Sequence, residues 1–254
     1  MKTIKKIVAF ALFATTLNVS SVFGQTADEI MKNVDDRVAP KDMKSMIKMN
    51  LIDSKGQVRQ RDLKNYRLGD EKMMMWFLSP ADVKGSCFLK FENEDKDDDM
   101  WIYLPALGKV RRVASSATNG SFMGSDFTYE DMGDRNLKDF TYKILKEETL
   151  NGKPCWVIEN TPNSGVSTDY SKIISWVWKD EPIIIKDESY NKKGVLKKVK
   201  TIELAKVKNF WLPKKTTMED VIAKHKTEML FDKIEVETGL DPKIFDQSNM
   251  TKIF

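Results

Sequence analysis

Histidine and cysteine are nearly missing from this sequence. One His, His225, and two Cys, Cys87 and Cys155, are spread over 254 residues. A single imidazole excludes chemistry that needs two, and Cys and His donors are too few for a zinc site. Two thiols 68 positions apart exclude a disulfide-stapled scaffold. Twelve Gly and eight Pro exclude a collagen-like chain. Phe, Trp and Tyr reach 10%, which argues against disorder as the main state. After the first 24 residues no apolar run approaches the roughly 20 residues of a membrane-spanning helix.

The longest apolar run is N-terminal. Lys2, Lys5 and Lys6 precede Ile7 to Leu17, and Val22-Phe23-Gly24 places short residues at −3 and −1. The pattern predicts an export signal over 1–24, cleaved before Gln25, and one domain over 25–254. Without that signal the formal charge falls from +4 to +1, because it holds three lysines and no acids. A near-neutral domain gives no electrostatic case for nucleic acid. No Cys follows the cleavage point to carry a lipid anchor. The expected location is the bacterial periplasm, and a monomer is expected.

The mature chain opens with one helix. Thr26 or Asp28 caps it, Ile30, Met31, Val34 and Val38 share a face, and Pro40 stops it. Strand patterns then run from 45–53 to 224–236, punctuated by Lys55-Gly56, Ser79-Pro80, Asn151-Gly152 and Asn191 to Gly194. Ten or eleven short strands joined by hairpins predict one large antiparallel sheet, curled or nearly closed. Residues 114–139 break the rhythm, small and polar first, then aromatic. So long an insertion is expected to be functional, and Phe122, Met123, Phe127 and Tyr129 are expected to fold back onto apolar surface.

Enzymatic signatures fail in turn. His225 lies in a Lys-rich strand, and Gly120-Ser121-Phe122-Met123-Gly124 has Phe where a nucleophile elbow needs Ser. Asp95, Asp97 and Asp99 have calcium-loop spacing, but Met100 and Ala106 replace the required Gly and Glu. No catalytic residue, cofactor or metal is expected. Cys87 and Cys155 are expected as free buried thiols more than as a disulfide.

The apolar surplus is more telling. Met73, Met75 and Phe77 share one strand face, with Met74, Trp76 and Leu78 on the other. Trp101 and Tyr103 alternate with Ile102 and Leu104, and Ile174, Trp176 and Trp178 share a third face. Strands apolar on both sides need both faces covered, or one lining a cavity. A packed core explains this composition, and so does a cavity for acyl chains, where flexible Met suits variable ligands.

Three motifs occur in order: Phe77-Leu78-Ser79-Pro80-Ala81-Asp82-Val83-Lys84-Gly85, then Trp101 to Leu107 with Val110-Arg111-Arg112-Val113, then Ser121 to Asp131. This series resembles the bacterial outer-membrane lipoprotein-sorting protein family, related to the LolA-like periplasmic carriers. The resemblance implies a mainly β fold: a curled, incomplete antiparallel barrel of about eleven strands, its concave side plugged by helices and a loop. It implies a hydrophobic cavity lined by Met75, Phe77, Trp101, Tyr103, Trp176 and Trp178, under a lid carrying Phe122, Met123, Phe127 and Tyr129. Arg111 and Arg112 are candidates to pair with Asp126, Glu130 or Asp131 on the lid, or to meet a lipid headgroup. The implied ligands are lipoprotein acyl chains or other lipids, ferried toward the outer membrane. An inner-membrane lipid exporter and an outer-membrane acceptor are candidate partners. Rival roles are a lipid-sensing, partner-binding module of the same shape, an accessory protein of a lipid exporter and, most weakly, a lipid hydrolase.

Overall fold

The computed structural model describes residues 24–93, 96–133 and 135–253. The predicted export signal (apart from Gly24) and Asp95 lie outside the described residues. Helix α1 spans Ala27–Asp35. Thr26 caps it reciprocally with Glu29, each side chain accepting from the other's main-chain N–H.

Thirteen strands follow: β1 Asp42–Ile52, β2 Val58–Leu68, β3 Lys72–Ser79, β4 Cys87–Phe91, β5 Asp99–Leu104, β6 Lys109–Arg112, β7 Phe140–Leu150, β8 Lys153–Pro162, β9 Tyr170–Trp178, β10 Ile183–Asn191, β11 Leu196–Val207, β12 Phe210–Asp220 and β13 His225–Val236. The total exceeds the expected ten or eleven. All lie in one antiparallel sheet, ordered β6-β5-β4-β3-β2-β1-β13-β12-β11-β10-β9-β8-β7. The sheet is not closed, and β6 and β7 are its two edges. Most neighbours are hairpins; the β7–β8 turn uses Asn151 and Gly152, both at positive φ, which the right-handed strand twist favours.

This topology dictates where residues 113–139 run. They leave the sheet at edge β6 and re-enter at edge β7, so they cross one face, here termed inner. Leu51, Thr227, Met218, Lys200, Asp187, Ser175 and Ile158 stand side by side on that face from β1 through β13 to β8. Helix α1 covers its β7–β10 end, with Ala27, Ile30 and Met31 packed against Ile158 and Val177. Among the described residues the plug is therefore one helix and a segment of short 3-10 turns, not several helices.

The outer face is covered differently. Met74, Trp76, Cys87 and Leu89 lie beneath Leu240, Phe245 and Met250 of the C-terminal tail. Buried Asp42 ties that tail down, accepting from the N–H groups of Thr238, Gly239 and Leu240 and from the Thr238 hydroxyl. Cys87 and Cys155 are free and buried, and burial pushes both thiols up.

Candidate functional site

The floor of the inner face is unusually rich in methionine. Met49, Met73, Met75, Met100, Met218 and Met229 form one buried cluster with Ile47, Leu51, Leu63, Phe77, Phe88 and Ile102. Phe122 and Phe127 of the crossing segment complete it. The Phe122 ring lies 5.1 Å from Phe88, 5.6 Å from Tyr129 and 6.1 Å from Phe77. A small hairpin presents these rings. Ser121 bridges Thr128, the Phe122 N–H donates to the Phe127 carbonyl at 2.8 Å, and Met123 and Gly124 both take left-handed conformations at the tip. Gly124 fits there because it lacks the Cβ that makes positive φ costly.

Polar contacts fix this hairpin to both halves of the sheet. Arg61 of β2 donates to the Met123 carbonyl at 2.5 Å. Thr227 of β13 donates to the Asp126 carboxylate at 2.7 Å, and Lys198 of β11 donates to the Asp126 carbonyl at 2.5 Å. His225 Nδ1 meets the other Asp126 carboxylate oxygen. Within the segment, Asp131 accepts from the Thr128 N–H and hydroxyl, both at 2.8 Å.

Beyond Asp126 the inner face turns polar. Arg135 reaches across to Asp187 of β10 at 2.7 Å. Lys200 lies 3.2 Å from the same carboxylate, and the Ser175 hydroxyl donates to it at 2.6 Å. Burial pushes the Asp187 pKa up, but Arg135, Lys200 and Ser175 outweigh it and hold the group down at about 2. Asn160 of β8 donates to Ser175 at 2.9 Å, while its carbonyl oxygen is buried without a hydrogen-bond partner. At the opposite end, Lys90 of β4 is buried between Glu92 (2.6 Å) and Asp98 (2.7 Å), directly beneath Gly133.

The expected site residues divide in two. Met75, Phe77, Phe122, Met123, Phe127 and Tyr129 come together on the inner face. Trp101 and Tyr103 do not; they pack on the outer face with the C-terminal tail, Trp101 lying 5.2 Å from Phe91. Trp176 and Trp178 also face outward, Trp178 lying 5.3 Å from Trp211. Strand alternation makes this unavoidable, since Ser175 and Val177 occupy the inner positions of β9.

The arginine pairing also needs correcting. Arg112 stands opposite Trp101 and pairs with Asp99, while Arg111 is exposed on the same edge strand. The partners of Asp126 are Thr227, Lys198 and His225 instead. Glu130 lies in the segment near Asp131 and Arg135, and burial raises its pKa. Arg61, Lys90, Asn160, Asp187, Lys198, Lys200 and Thr227 are isolated polar residues in alternating strands, and Arg135 lies in the crossing segment, so none carries a periodic signal in the sequence.

The open apolar cavity implied by the resemblance is filled here by the segment's own rings. Clefts of about 370 and 440 Å³ lie instead around α1, the first lined in part by Ile30, Asn33, Arg37 and Trp156, the second by Gln25, Thr26 and Glu29. Among the described residues no cluster of His, Cys, Asp and Glu fits a metal ion.

A family model described as "Uncharacterized protein" matches residues 69–252, well over half of the chain. The chain belongs to this family. It is similar to a DUF1329 family protein from Desulfovibrio piger, with 29% identity and a TM-score of 0.82, covering 88% of this chain and 97% of that one. A domain from Vibrio parahaemolyticus, named for outer membrane lipoprotein sorting, shares 28% identity with a TM-score of 0.80 over 89% and 98% of the two chains. A LolA superfamily protein from Nitrosomonas europaea shares 18% identity with a TM-score of 0.68, over 89% and 99%, and shows the common fold. No curated protein sequence matches the chain. The family resemblance seen in the three motifs and the LolA-like architecture therefore both hold.

Proposed function

We propose that this protein is a periplasmic carrier, which takes the acyl chains of lipoproteins or other lipids onto its inner face and conveys them toward the outer membrane. One observation carries this. The methionine-rich floor is roofed not by another sheet or a helix bundle but by a single crossing segment, whose Phe122 and Phe127 rings complete the buried cluster. Met side chains repack around chains of differing shape. Each acyl methylene that leaves water contributes about 0.8 kcal/mol, so a chain of ordinary length can replace two Phe rings. Carriage needs no bond to be made or broken, and His225 is committed to anchoring Asp126. The lipoprotein-sorting name of the Vibrio relative supports both the cargo class and the location.

Native mass spectrometry of protein purified from a bacterial envelope, paired with hydrogen exchange, tests this. A stoichiometric bound lipid is expected, with faster exchange at residues 121–131 in the loaded form and unchanged exchange in β1, β2 and β13. A clean apo mass with no uptake of added lipid would remove the carrier role. Uptake that leaves 121–131 equally protected would move the binding site off the inner face.

A further inference from the structure

The inner face is amphipathic, and its boundary falls between two cross-strand neighbours: Met218 of β12 stands opposite Lys200 of β11. On one side lies the methionine floor. On the other lie Lys198, Lys200, Asp187, Ser175 and Asn160. The crossing segment is amphipathic in the same sense. Its rings fill the apolar half. Its oxygens meet the polar half, the Asp126 carbonyl 2.5 Å from Lys198 Nζ and the Asp131 carboxylate 4.0 Å from it.

Taking the carrier role as given, we infer that the cargo is a lipid with an anionic phosphate headgroup, bound by Lys198 and Lys200 when the segment withdraws. The charges support this. The sheet supplies Lys198 and Lys200 against Asp187 and Asp220, the cross-strand neighbour of Lys198, whereas the segment supplies Arg135 against Asp126, Glu130 and Asp131. Withdrawal removes more acid than base, so a face that closes with acids in excess opens balanced, with Lys198 stripped of the Asp126 carbonyl and the Asp131 carboxylate. Lys198 is buried, so an incoming ligand must replace the oxygens that the segment takes away. A neutral diacylglyceryl group lacks the charge to do so, while a phosphate provides it in charge-assisted hydrogen bonds. The Asn160 carbonyl oxygen, buried and unused, offers an acceptor to a headgroup hydroxyl.

The test compares dioleoylphosphatidylglycerol with dioleoylglycerol, which has the same chains and no phosphate, each presented to the mature protein in detergent micelles. The phospholipid should bind about tenfold more tightly, as expected for one hydrogen-bonded charge. Lys198→Met and Lys200→Met should each lower the ratio of phospholipid to dioleoylglycerol affinity, whatever shift a loosened segment gives to both lipids alike, and circular dichroism reports that the variants are folded. Lys200→Arg should keep it. Excess inorganic phosphate should not displace the lipid. Equal affinity for the two lipids, or a preference that survives both Met variants, would overturn the headgroup assignment and leave the carrier role standing. Displacement by inorganic phosphate would overturn it in favour of a free-anion site. Failure of both lipids to bind would remove the carrier role itself.

Discussion

Thr227 and Asp126 are bound to each other twice. The Thr227 hydroxyl donates to the Asp126 carboxylate at 2.7 Å and accepts from the Asp126 N–H at 3.0 Å. Both residues are buried, and 101 positions separate them. This reciprocal pair is one of the points where the crossing segment is locked to the sheet, beside Arg61, Lys198 and His225. Thr227→Val keeps the shape and removes both bonds. Leaving the Asp126 groups without this partner should cost about 1–3 kcal/mol. Hydrogen exchange should quicken at 121–131 with little change in β1 and β2, and lipid uptake should become faster. A variant that loses protection uniformly across the sheet would show that the segment and the sheet open only together.

Asp187 makes stability depend on acidity in a defined direction. Its folded pKa of about 2 lies below the ordinary carboxylate value, because Arg135, Lys200 and Ser175 outweigh the burial that opposes ionisation. The unfolded chain therefore takes up the proton first. The stabilisation is complete above about pH 4 and disappears as pH falls toward 2. Asp187→Asn should flatten that acid limb in denaturation curves collected at several pH values. At neutral pH the same change should cost about 2–3 kcal/mol, because it leaves the partly buried Arg135 guanidinium without its carboxylate. An unchanged acid limb would mean that Asp187 is not the group responsible.

The Phe122 ring is fully buried among Phe77, Phe88 and Tyr129. Phe122→Ala should lower stability by about 3–5 kcal/mol, the usual range for a buried ring. If the ring also competes with cargo, the same variant should bind acyl chains more tightly, because a smaller fraction of the protein is held closed. Thermal denaturation with and without lipid measures both, and lipid should return much of the lost stability. Lower stability together with weaker lipid binding would make Phe122 part of the ligand site and not its competitor.

Much of this architecture was legible in the sequence, for physical reasons. Period-2 patterning and turn residues such as Asn151-Gly152 mark strands locally, and β3, apolar on both faces, requires either two covered faces or one lining a cavity; in the structure both its faces are covered. Alternation assigns residues to faces but does not say which face the crossing segment takes. Trp101, Tyr103, Trp176 and Trp178 were therefore grouped with Met75 and Phe77, although they point the other way. The pairing of β1 with β13 closes a contact across nearly the whole chain and has no local signature. Arg135 and Asp187 are likewise single charges in unremarkable contexts, and only the fold brings them to 2.7 Å.

Gly133 and Lys90 should be coupled. A Cβ on Gly133 would fall 1.2 Å from Lys90 Nζ, so no side chain fits while the ammonium stays in place. The ammonium is not free to swing away, because Glu92 and Asp98 hold it in a buried position. Gly133→Ala should therefore be destabilising without any need for backbone strain, and should free the end of the segment nearest β4. Lys90→Ala should be costly alone, since it leaves two acids facing each other around an empty site. In the double variant the alanine at 133 meets no ammonium, so the two costs should fall short of adding by at least about 1 kcal/mol. Chemical denaturation of the two single variants and the double variant closes this cycle. Strict additivity would show that Gly133 is required for the path of the chain and not for the space above Lys90.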